Sequence, residues 1–393
     1  MSAVDTSERR FDLDWVRVIT MLVVFVFHSG MFFTSWPWHI KYGQVYSPVE
    51  IFNSFVDTWQ MPMLFLVSGA ATWFSLRSRR AGNFINERML RLLIPLTFGL
   101  LVIVPLQIYF ERISKQQFQG SFFAFYPHFF QGTYSFTGTG NFGWSYLWFL
   151  VYLFIITLVA LPIFFSLNRP RGKKLVDGLA SCVSKPGAIL AWFLPIALCL
   201  VLLQPLFPGS EKNLVGDMAY FAVYLLYFVF GYLFCIDRRF WDAIERHAFP
   251  ALVLAGATSA AGTYLVLSNS VPAIGYSAAR FGALGLLTLC GWCWIVTFLG
   301  MARKFLSFSN RFLSYANEAV LPFYVLHHMV IIGVGSYVIG WDIPVLAMYL
   351  LIIAMSFAII MLLYEFVVKR TNVTRFLFGM RTKRRASGAV TAG

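Results

Sequence analysis

Charged residues are scarce in this sequence. Asp, Glu, Lys and Arg together make up 12% of its 393 residues, whereas an ordinary soluble domain carries about 25%. So little charge excludes a disordered tail protein and a soluble two-domain enzyme. The 59% hydrophobic content and the mean hydropathy of +0.70 instead indicate a polytopic membrane protein whose surface is largely solvated by lipid.

Cysteine is also rare, and its placement excludes a disulfide scaffold. Of the five cysteines, Cys182 falls in a predicted loop and the other four lie in apolar spans (Cys199, Cys235, Cys290 and Cys293). Cys290 and Cys293 share one helix face, but no His or carboxylate lies beside them on that span. The pair is therefore predicted to be packing residues rather than metal ligands, and we predict no metal site.

We expect no cleavable signal peptide, because the first apolar run is too long and no small-residue cleavage site follows it. A membrane-spanning helix needs about 20 mostly apolar residues. By that rule the sequence predicts an all-α polytopic integral membrane protein, with about ten transmembrane helices around a central cavity. The predicted spans are 14–34, 51–76, 92–110, 144–166, 187–206, 217–236, 248–269, 280–301, 320–340 and 345–368.

The even number of spans places both termini in the cytoplasm. The predicted organisation is a cytoplasmic segment 1–13, a transmembrane domain 14–368 and a basic, partly disordered cytoplasmic tail 369–393. Two connections stand out by their composition. The outer segment 111–143 is aromatic and Gly-rich, which suits a lid or an interfacial segment over an outward-facing site. The amphipathic stretch 302–319 suits the inner leaflet surface.

Positive charge is unevenly distributed along the chain, which has a net charge of +14. Most of the 31 Lys and Arg lie in or beside one alternating set of connections, as the positive-inside rule requires. We therefore attribute the basic character to membrane topology and lipid headgroups, and predict no nucleic-acid partner. Five cations fall on the opposite set: Lys41, Arg112, Lys115, Lys212 and Arg280.

Ionisable side chains inside spans are costly, so each is a candidate functional residue. Arg17 and His28 lie eleven residues apart on the first predicted helix. That spacing is about 16 Å along the helix and three turns with about 20° left over, which places both on one face. Such a face suits an extended ligand with an anionic end at Arg17 and a reactive end at His28. The alternatives are a snorkelling cation at Arg17 and a packing histidine at His28.

The second predicted helix carries Asp57 and Gln60 three residues apart, which predicts one shared face. A carboxylate such as Asp57 suits the orientation of a catalytic imidazole. Ser68 and Gly69 follow on the same predicted helix. A close helix contact is the favoured interpretation there, and a nucleophilic Ser68 is the weaker one.

The ninth predicted helix contains Tyr324, His327 and His328. Tyr324 and His328 share a face, while His327 points about 100° away, so we expect at most one histidine to reach a central cavity. On the cytoplasmic side, Arg88 and Arg91 lie on one helical turn. Guanidinium pairs suit phosphate recognition, although a charge run at a helix end is usually an anchor.

Five motifs occur together in this order: LDWVRVITMLVVFVFH, FLVSG, ERMLRLLIP, LWFLVYLF and LPFYVLHH. By these motifs the chain resembles the type-3 membrane acyltransferase family over nearly its whole length. It is most similar to a branch that succinylates periplasmic glucans, through SWPWHIKYG, His327 with His328, and LLYEFVVKRTNVTRFLFGM. The resemblance implies that Arg17 and His28 are the essential pair and that Arg88 and Arg91 belong to the inner-face motif.

The activity implied is transfer of a succinyl or acetyl group from cytoplasmic acyl-CoA to a glycan hydroxyl, in the bacterial inner membrane. Acyl-CoA is then a co-substrate, and no permanently bound cofactor is expected. The expected partners are the lipid bilayer, the periplasmic glycan, and either a second copy of the chain or a glucan-synthesis protein. The alternative is a transporter or flippase that uses the intramembrane His and Asp as a proton relay.

Site roles follow from this hypothesis. The predicted catalytic residues are His28, Arg17, Asp57, His327 and His328. The predicted donor-binding residues are Arg17, Arg88, Arg91, Tyr324 and Ser68. The predicted acceptor-binding residues are Trp36, Trp38, His39, Gln60 and Trp144.

Overall fold

The structure is a computed structural model that describes residues 9–78, 80–135, 138–209, 212–268 and 270–382. Over these residues it is α-helical, and the described residues form no β-strand, only an isolated bridge between Thr133 and Phe142. The all-helical fold class is confirmed. The chain divides into two compact units, one formed by residues up to 86 with 148–317 and one by 87–147 with the residues from 318 onward.

The first unit contains most of the helices. They are α1 (Phe11–Gly30), α2 (Ser47–Asp57), α3 (Gln60–Ser78), α7 (Trp148–Leu167), α8 (Pro170–Val183), α9 (Phe193–Leu203), α10 (Met218–Ile236), α11 (Arg238–Arg246), α12 (Ala248–Leu267) and α13 (Ala278–Phe305). The second unit contains α5 (Val104–Ser114), α6 (Phe122–Phe125), α15 (Val345–Leu363) and α16 (Asn372–Leu377). Helices α4 (Ala81–Phe98) and α14 (Arg311–Val338) have residues in both units.

Eight helical segments of the described chain are long and apolar enough to cross a membrane. They are Phe11–Phe33, Gly82–Ser114, Ser145–Leu167, Met218–Ile236, Ala248–Leu267, Ala278–Phe305, Arg311–Val338 and Val345–Val368. Each overlaps a span predicted from the sequence, which supports a multi-pass membrane protein. The other two predicted spans correspond to α3 and to the shorter apolar helix Ala188–Leu203. The count of ten and the side on which the termini lie stay predictions.

The predicted span 51–76 is not one helix. Helix α2 ends at Asp57 and α3 begins at Gln60. The hydroxyl of Thr58 donates a hydrogen bond to the carbonyl of Phe55 at 2.8 Å, and the amide of Trp59 donates to Val56 at 3.2 Å. These short-range bonds replace the regular helical pattern and close the turn, a local event that hydrophobic periodicity does not reveal.

The amphipathic stretch 302–319 is not a separate surface segment either. Helix α13 continues to Phe305, and α14 begins at Arg311. Only the five residues between them leave helical structure. The polar character of the stretch therefore comes from the ends of two long helices.

Glycines allow α3 and α10 to pack against each other inside the first unit. A Cβ atom added to Gly69 would lie 1.9 Å from the carbonyl oxygen of Phe228, and one added to Gly231 would lie 1.8 Å from that of Leu66. The two backbones touch because neither glycine has a side chain. This is the close helix contact favoured from the sequence at Ser68 and Gly69.

Candidate active site

Helix α1 carries the two candidate residues at the centre of the sequence hypothesis. The acidic residues Asp12 and Asp14 lie in its first turn, where they interact favourably with the helix dipole. The helix then runs unbroken through Arg17 and His28. Both side chains are half-exposed, whereas the helix also buries Val16, Val24 and other apolar residues.

Arg17 is held at one edge by two acceptors of the first unit. Its Nη2 donates to Asp14 Oδ1 at 3.1 Å and to Asn317 Oδ1 at 2.7 Å. Its Nε is buried and has no hydrogen-bond partner among the described residues. The guanidinium is therefore fixed in position with donors left over, as an anion-binding arginine requires. Asp14 and Asn317 are partners that the spacing argument did not identify.

His28 lies against aromatic side chains. Its ring stacks on Trp38 with centroids 5.6 Å apart and an interplanar angle of 15°, and it meets Phe27 edge-on at 5.3 Å. The ring of Trp36 contacts that of Phe27, with centroids 6.0 Å apart. Two residues predicted to bind the acceptor, Trp36 and Trp38, are thus brought to the end of α1 that carries His28.

Lys41 holds the segment that follows α1 in place. It is one of the five cations on the set of connections predicted to lie outside. Its ammonium donates to the carbonyls of Met31 at 2.9 Å and Trp36 at 3.0 Å, and also to that of Thr34. These bonds hold the segment in a closed loop beside the helix end. His39, in the same loop, is buried next to Trp38 and is not exposed for binding.

Asp57 and Gln60 lie close together, but they do not share the face of one helix. They lie on either side of the break between α2 and α3, and the Gln60 side chain lies near the Asp57 carboxylate. Asp57 also interacts electrostatically with Lys212. Orientation of His28 by Asp57 stays a prediction.

Lys212 is the main residue of this region that was not assigned a role from the sequence. Its Nζ lies 4.1 Å from the ring centroid of Tyr220 and 5.6 Å from those of Trp148 and Tyr224. The carboxylate oxygen Oδ2 of Asp217 lies 3.9 Å from the same nitrogen. Burial lowers the pKa of Lys212, and the two nearby carboxylates oppose that change. Its place among the five cations predicted to lie outside was the signal that could have identified it.

In the second unit, His328 belongs to a chain of hydrogen bonds. Its Nδ1 donates to Gln107 Oε1 at 3.0 Å, and Gln107 Nε2 donates to Ser145 Oγ at 2.9 Å. The ring of Tyr146 stacks on His328 at 4.5 Å with an interplanar angle of 9°. Because the amide oxygen can only accept, Nδ1 carries the proton and Nε2 is left as the basic nitrogen. The role of Gln107 was not predicted.

His327 and Tyr324 are tied to the backbone. His327 Nδ1 donates to the carbonyl of Tyr324 at 2.5 Å, and the hydroxyl of Tyr324 donates to the carbonyl of Tyr146. Both histidines are buried, with His327 0% and His328 2% exposed. Their catalytic role and the donor-binding role of Tyr324 stay predictions.

The remaining candidates are dispersed. Arg88 and Arg91 are half-buried on α4, and Arg91 Nε lies 3.3 Å from Glu87 Oε1. Ser68 is half-buried in α3, and Trp144 is half-buried in the second unit just before a short turn of helix. No group of three metal-ligating side chains occurs in the ranges that the structure describes.

Comparison with known proteins identifies the family of this chain. The family model for an acyltransferase domain, acyltransferase 3, matches residues 10–365. The chain therefore belongs to this family of membrane acyltransferases.

Among curated proteins the chain is similar to several called glucans biosynthesis protein C. It is 23% identical over 383 residues to that of Salmonella gallinarum, covering 95% of both chains. It is 22% identical to that of Salmonella typhimurium, over 98% of this chain and 99% of the relative. It is 21% identical to that of Escherichia coli, over 84% of both. No solved structure matches the chain.

Proposed function

We propose that this protein is a membrane O-acyltransferase of the bacterial inner membrane. It transfers a succinyl or acetyl group from cytoplasmic acyl-CoA to a hydroxyl group of a periplasmic glucan or another glycan. The observation that carries the proposal is the pair on α1: Arg17 and His28 lie on one face of an unbroken helix, each half-exposed, in a chain whose family transfers acyl groups.

The proposed chemistry uses His28 as a general base. The imidazole removes the proton from the acceptor hydroxyl, and the resulting oxygen attacks the thioester carbonyl carbon of the donor. The carbon–sulfur bond breaks, and the departing thiolate of CoA takes the proton back from the imidazolium. A route through an acylated His28 gives the same products and is the alternative.

The stacking on Trp38 supports this role for His28. An aromatic partner at 5.6 Å restricts rotation of the imidazole, so the basic nitrogen keeps one direction. Arg17, fixed by Asp14 and Asn317 with donors to spare, is assigned to the anionic part of the donor. Phosphate binding by Arg88 and Arg91 rests on the sequence resemblance.

The acceptor is proposed from the names of the relatives, which are called glucans biosynthesis proteins. Trp36 is half-exposed and lies near His28 through Phe27, and sugar rings pack on such flat apolar surfaces through their C–H faces, whereas Trp38 is buried and supports His28 from behind. This supports a glycan hydroxyl as the nucleophile over a small alcohol.

The test is the replacement His28→Ala in purified protein, with release of CoA from acyl-CoA in the presence of a glucan as the measurement. We expect the rate to fall at least about 100-fold, the usual minimum contribution of a general base. The matched control is Ile19→Ala on the same helix, because Ile19 is exposed. It should keep the wild-type rate.

Near-wild-type CoA release by His28→Ala would refute the assignment of the base. A wild-type protein that moves a glycan across vesicles but releases no CoA would instead support the transporter. Thermal unfolding of both variants shows whether any lost activity comes from lost structure.

A further inference from the structure

The described residues of the predicted lid segment, 111–135 and 138–143, fold in the second unit around the buried side chain of Arg112. Its Nε donates to Asn141 Oδ1 at 2.7 Å and its Nη2 to the carbonyl of Gly140 at 2.7 Å. Its Nη1 donates to Gln117 Oε1 at 2.6 Å. One guanidinium therefore fastens the start of the segment to its end.

Backbone contacts reinforce this closure. The amide of Asn141 donates to the carbonyl of Gln131 at 2.9 Å, and the amide of Tyr134 donates to that of Phe142 at 2.9 Å. A Cβ atom on Gly140 would lie 2.1 Å from the carbonyl oxygen of Thr133, so only glycine permits this crossing. The segment is thus preorganised rather than dependent on a ligand for its shape.

Residues of this segment line a cavity of about 140 Å³ that is open on one side. Phe118 and Phe125 form an apolar wall, with centroids 5.2 Å apart, and Phe118 also meets His128 at 5.6 Å. The polar lining comes from Gln117, His128, Gln131, Thr139 and Asn141, together with the guanidinium of Arg112. An aromatic wall opposite several uncharged polar groups is the lining that carbohydrate rings require.

The polar groups of the lining offer both donors and acceptors. His128 Nδ1 donates to Gln131 Oε1 at 3.1 Å, which leaves His128 Nε2 as an acceptor and Gln131 Nε2 as a donor. Gln117 uses its oxygen on Arg112, so its Nε2 is a second donor. The hydroxyl of Thr139 can both donate and accept a hydrogen bond. Within the described ranges none of these four atoms has a protein partner, and sugar hydroxyls match this mixture.

The charge of the cavity favours a neutral ligand. All three nitrogens of Arg112 already bond to oxygen atoms of the segment, and its Nη1 lies 3.7 Å from Glu111 Oε1. Glu111 in turn accepts from Lys115 at 2.7 Å and from the hydroxyl of Tyr134 at 3.0 Å. The guanidinium of Arg112, the charged group of the lining, is therefore already occupied by oxygen atoms of the segment, which leaves the uncharged donors and acceptors to bind a neutral ligand.

We infer that this cavity binds one neutral sugar ring of the acceptor, as a subsite separate from the residues that carry out the transfer. The inference rests on the proposed function for the identity of the acceptor. It assigns His128 and Gln131 to hydrogen bonding with sugar hydroxyls and Phe118 to packing against the ring face.

Binding in nanodiscs tests the inference without requiring turnover. The probes are the glucose disaccharides sophorose, laminaribiose and cellobiose, with inorganic phosphate as an anion probe, and the measurement is isothermal titration calorimetry. We expect the wild type to bind at least one disaccharide. The double variant His128→Ala with Gln131→Leu should bind it about tenfold more weakly or worse, since two hydrogen bonds are lost.

The matched control is Phe123→Ala, because Phe123 lies in the same segment, is 85% exposed and does not line the cavity. It should bind the disaccharide like the wild type. Equal affinity of the wild type and the double variant would overturn the inference, as would phosphate binding that the double variant abolishes or no disaccharide binding by the wild type. A failed subsite leaves His28-dependent CoA release intact, whereas a failed transferase proposal leaves disaccharide binding unchanged.

Discussion

Asp237 combines two stabilising roles at the start of α11. Its carboxylate caps the helix by accepting from the amide of Arg239 at 3.0 Å, and it also accepts from Arg239 Nη2 at 2.9 Å. Arg239 Nη2 reaches Asp177 on α8 as well, at 2.6 Å. Burial opposes ionisation of Asp237, but the bonds from Arg239 outweigh it and hold the pKa of this carboxyl below its usual range.

Two substitutions separate these roles. Asp237→Asn keeps a capping side chain but loses the charge, and we expect a loss of about 1 kcal/mol in unfolding free energy near neutral pH. Asp237→Ala also loses the cap and should cost about 1 kcal/mol more. Asp242→Asn, on the same helix and half-exposed, is the control with little effect. The measurement is thermal unfolding in detergent.

The same comparison predicts a pH dependence. A carboxyl whose pKa is lowered by folding stabilises the protein above its unfolded pKa, near 4, and loses that contribution as the pH falls through the folded value. The difference in melting temperature between wild type and Asp237→Asn should therefore shrink below about pH 4. A difference that stays constant with pH would show that ionisation of Asp237 does not cause the loss of stability in Asp237→Asn.

At the residue scale, charge pattern predicted more than spacing did. The five cations on the unexpected set of connections all have partners in the structure, for example Arg280 with Gln204 Oε1 at 2.7 Å and Lys212 with Asp217. By contrast, the i to i+3 spacing predicted that Asp57 and Gln60 share one helix face, but a break in the helix lies between them. Partners distant in sequence, such as Asn317 for Arg17, leave no local signal.

Among the secondary-structure elements, α3 and α10 show the tightest helix contact described for the first unit. Gly69 and Gly231 each meet a carbonyl oxygen of the other helix. An alanine at either position requires the two backbones to move apart, so that side chains along both helices lose van der Waals contacts. Overpacking of this kind costs about 1–3 kcal/mol.

We therefore expect Gly69→Ala and Gly231→Ala to lower the melting temperature of the detergent-solubilised protein. The controls are Gly256→Ala and Gly262→Ala on α12, where an added Cβ meets no atom within 4 Å. There alanine should be neutral or slightly stabilising, since it favours helix. Equal effects at all four glycines would mean that the contact between α3 and α10 contributes nothing specific.

Hydrophobic runs predicted where most helices lie but not where they break. The predicted spans at 217–236 and 345–368 match helical segments closely, because long apolar runs leave few alternatives to a helix. The span at 51–76 failed because Thr58 and Trp59 form a turn inside an apolar stretch. A side-chain bond to the preceding turn is invisible to an average over hydropathy.

For the whole molecule, the open question is whether α3 crosses the membrane. Its 19 residues span about 28 Å, nearly the thickness of a bilayer core, but they include Ser68, Thr72 and Arg77. If α3 crosses, Arg77 and the Lys- and Arg-rich helix α8 both lie in the cytoplasm, as the positive-inside rule favours. If α3 does not cross, both groups of cations face the periplasm.

Cys182 distinguishes these arrangements because it is an exposed cysteine on α8. With α3 as a crossing, Cys182 follows the fourth span and lies in the cytoplasm, while residue 119 follows the third and lies outside. Without α3, both positions exchange sides. We expect a membrane-impermeant maleimide to label Gln119→Cys in intact spheroplasts, and to label Cys182 only after permeabilisation.

Val373→Cys completes the test, because Val373 is exposed and follows the last span. It should be protected in spheroplasts when the number of crossings is even, as with ten or eight. Labelling of both Val373→Cys and Gln119→Cys in spheroplasts would mean nine crossings. In that arrangement α3 crosses the membrane and the short helix Ala188–Leu203 does not. Labelling of Cys182 with protection of Gln119→Cys would refute the crossing by α3, and with it the cytoplasmic position of the Arg-rich connection that precedes α4.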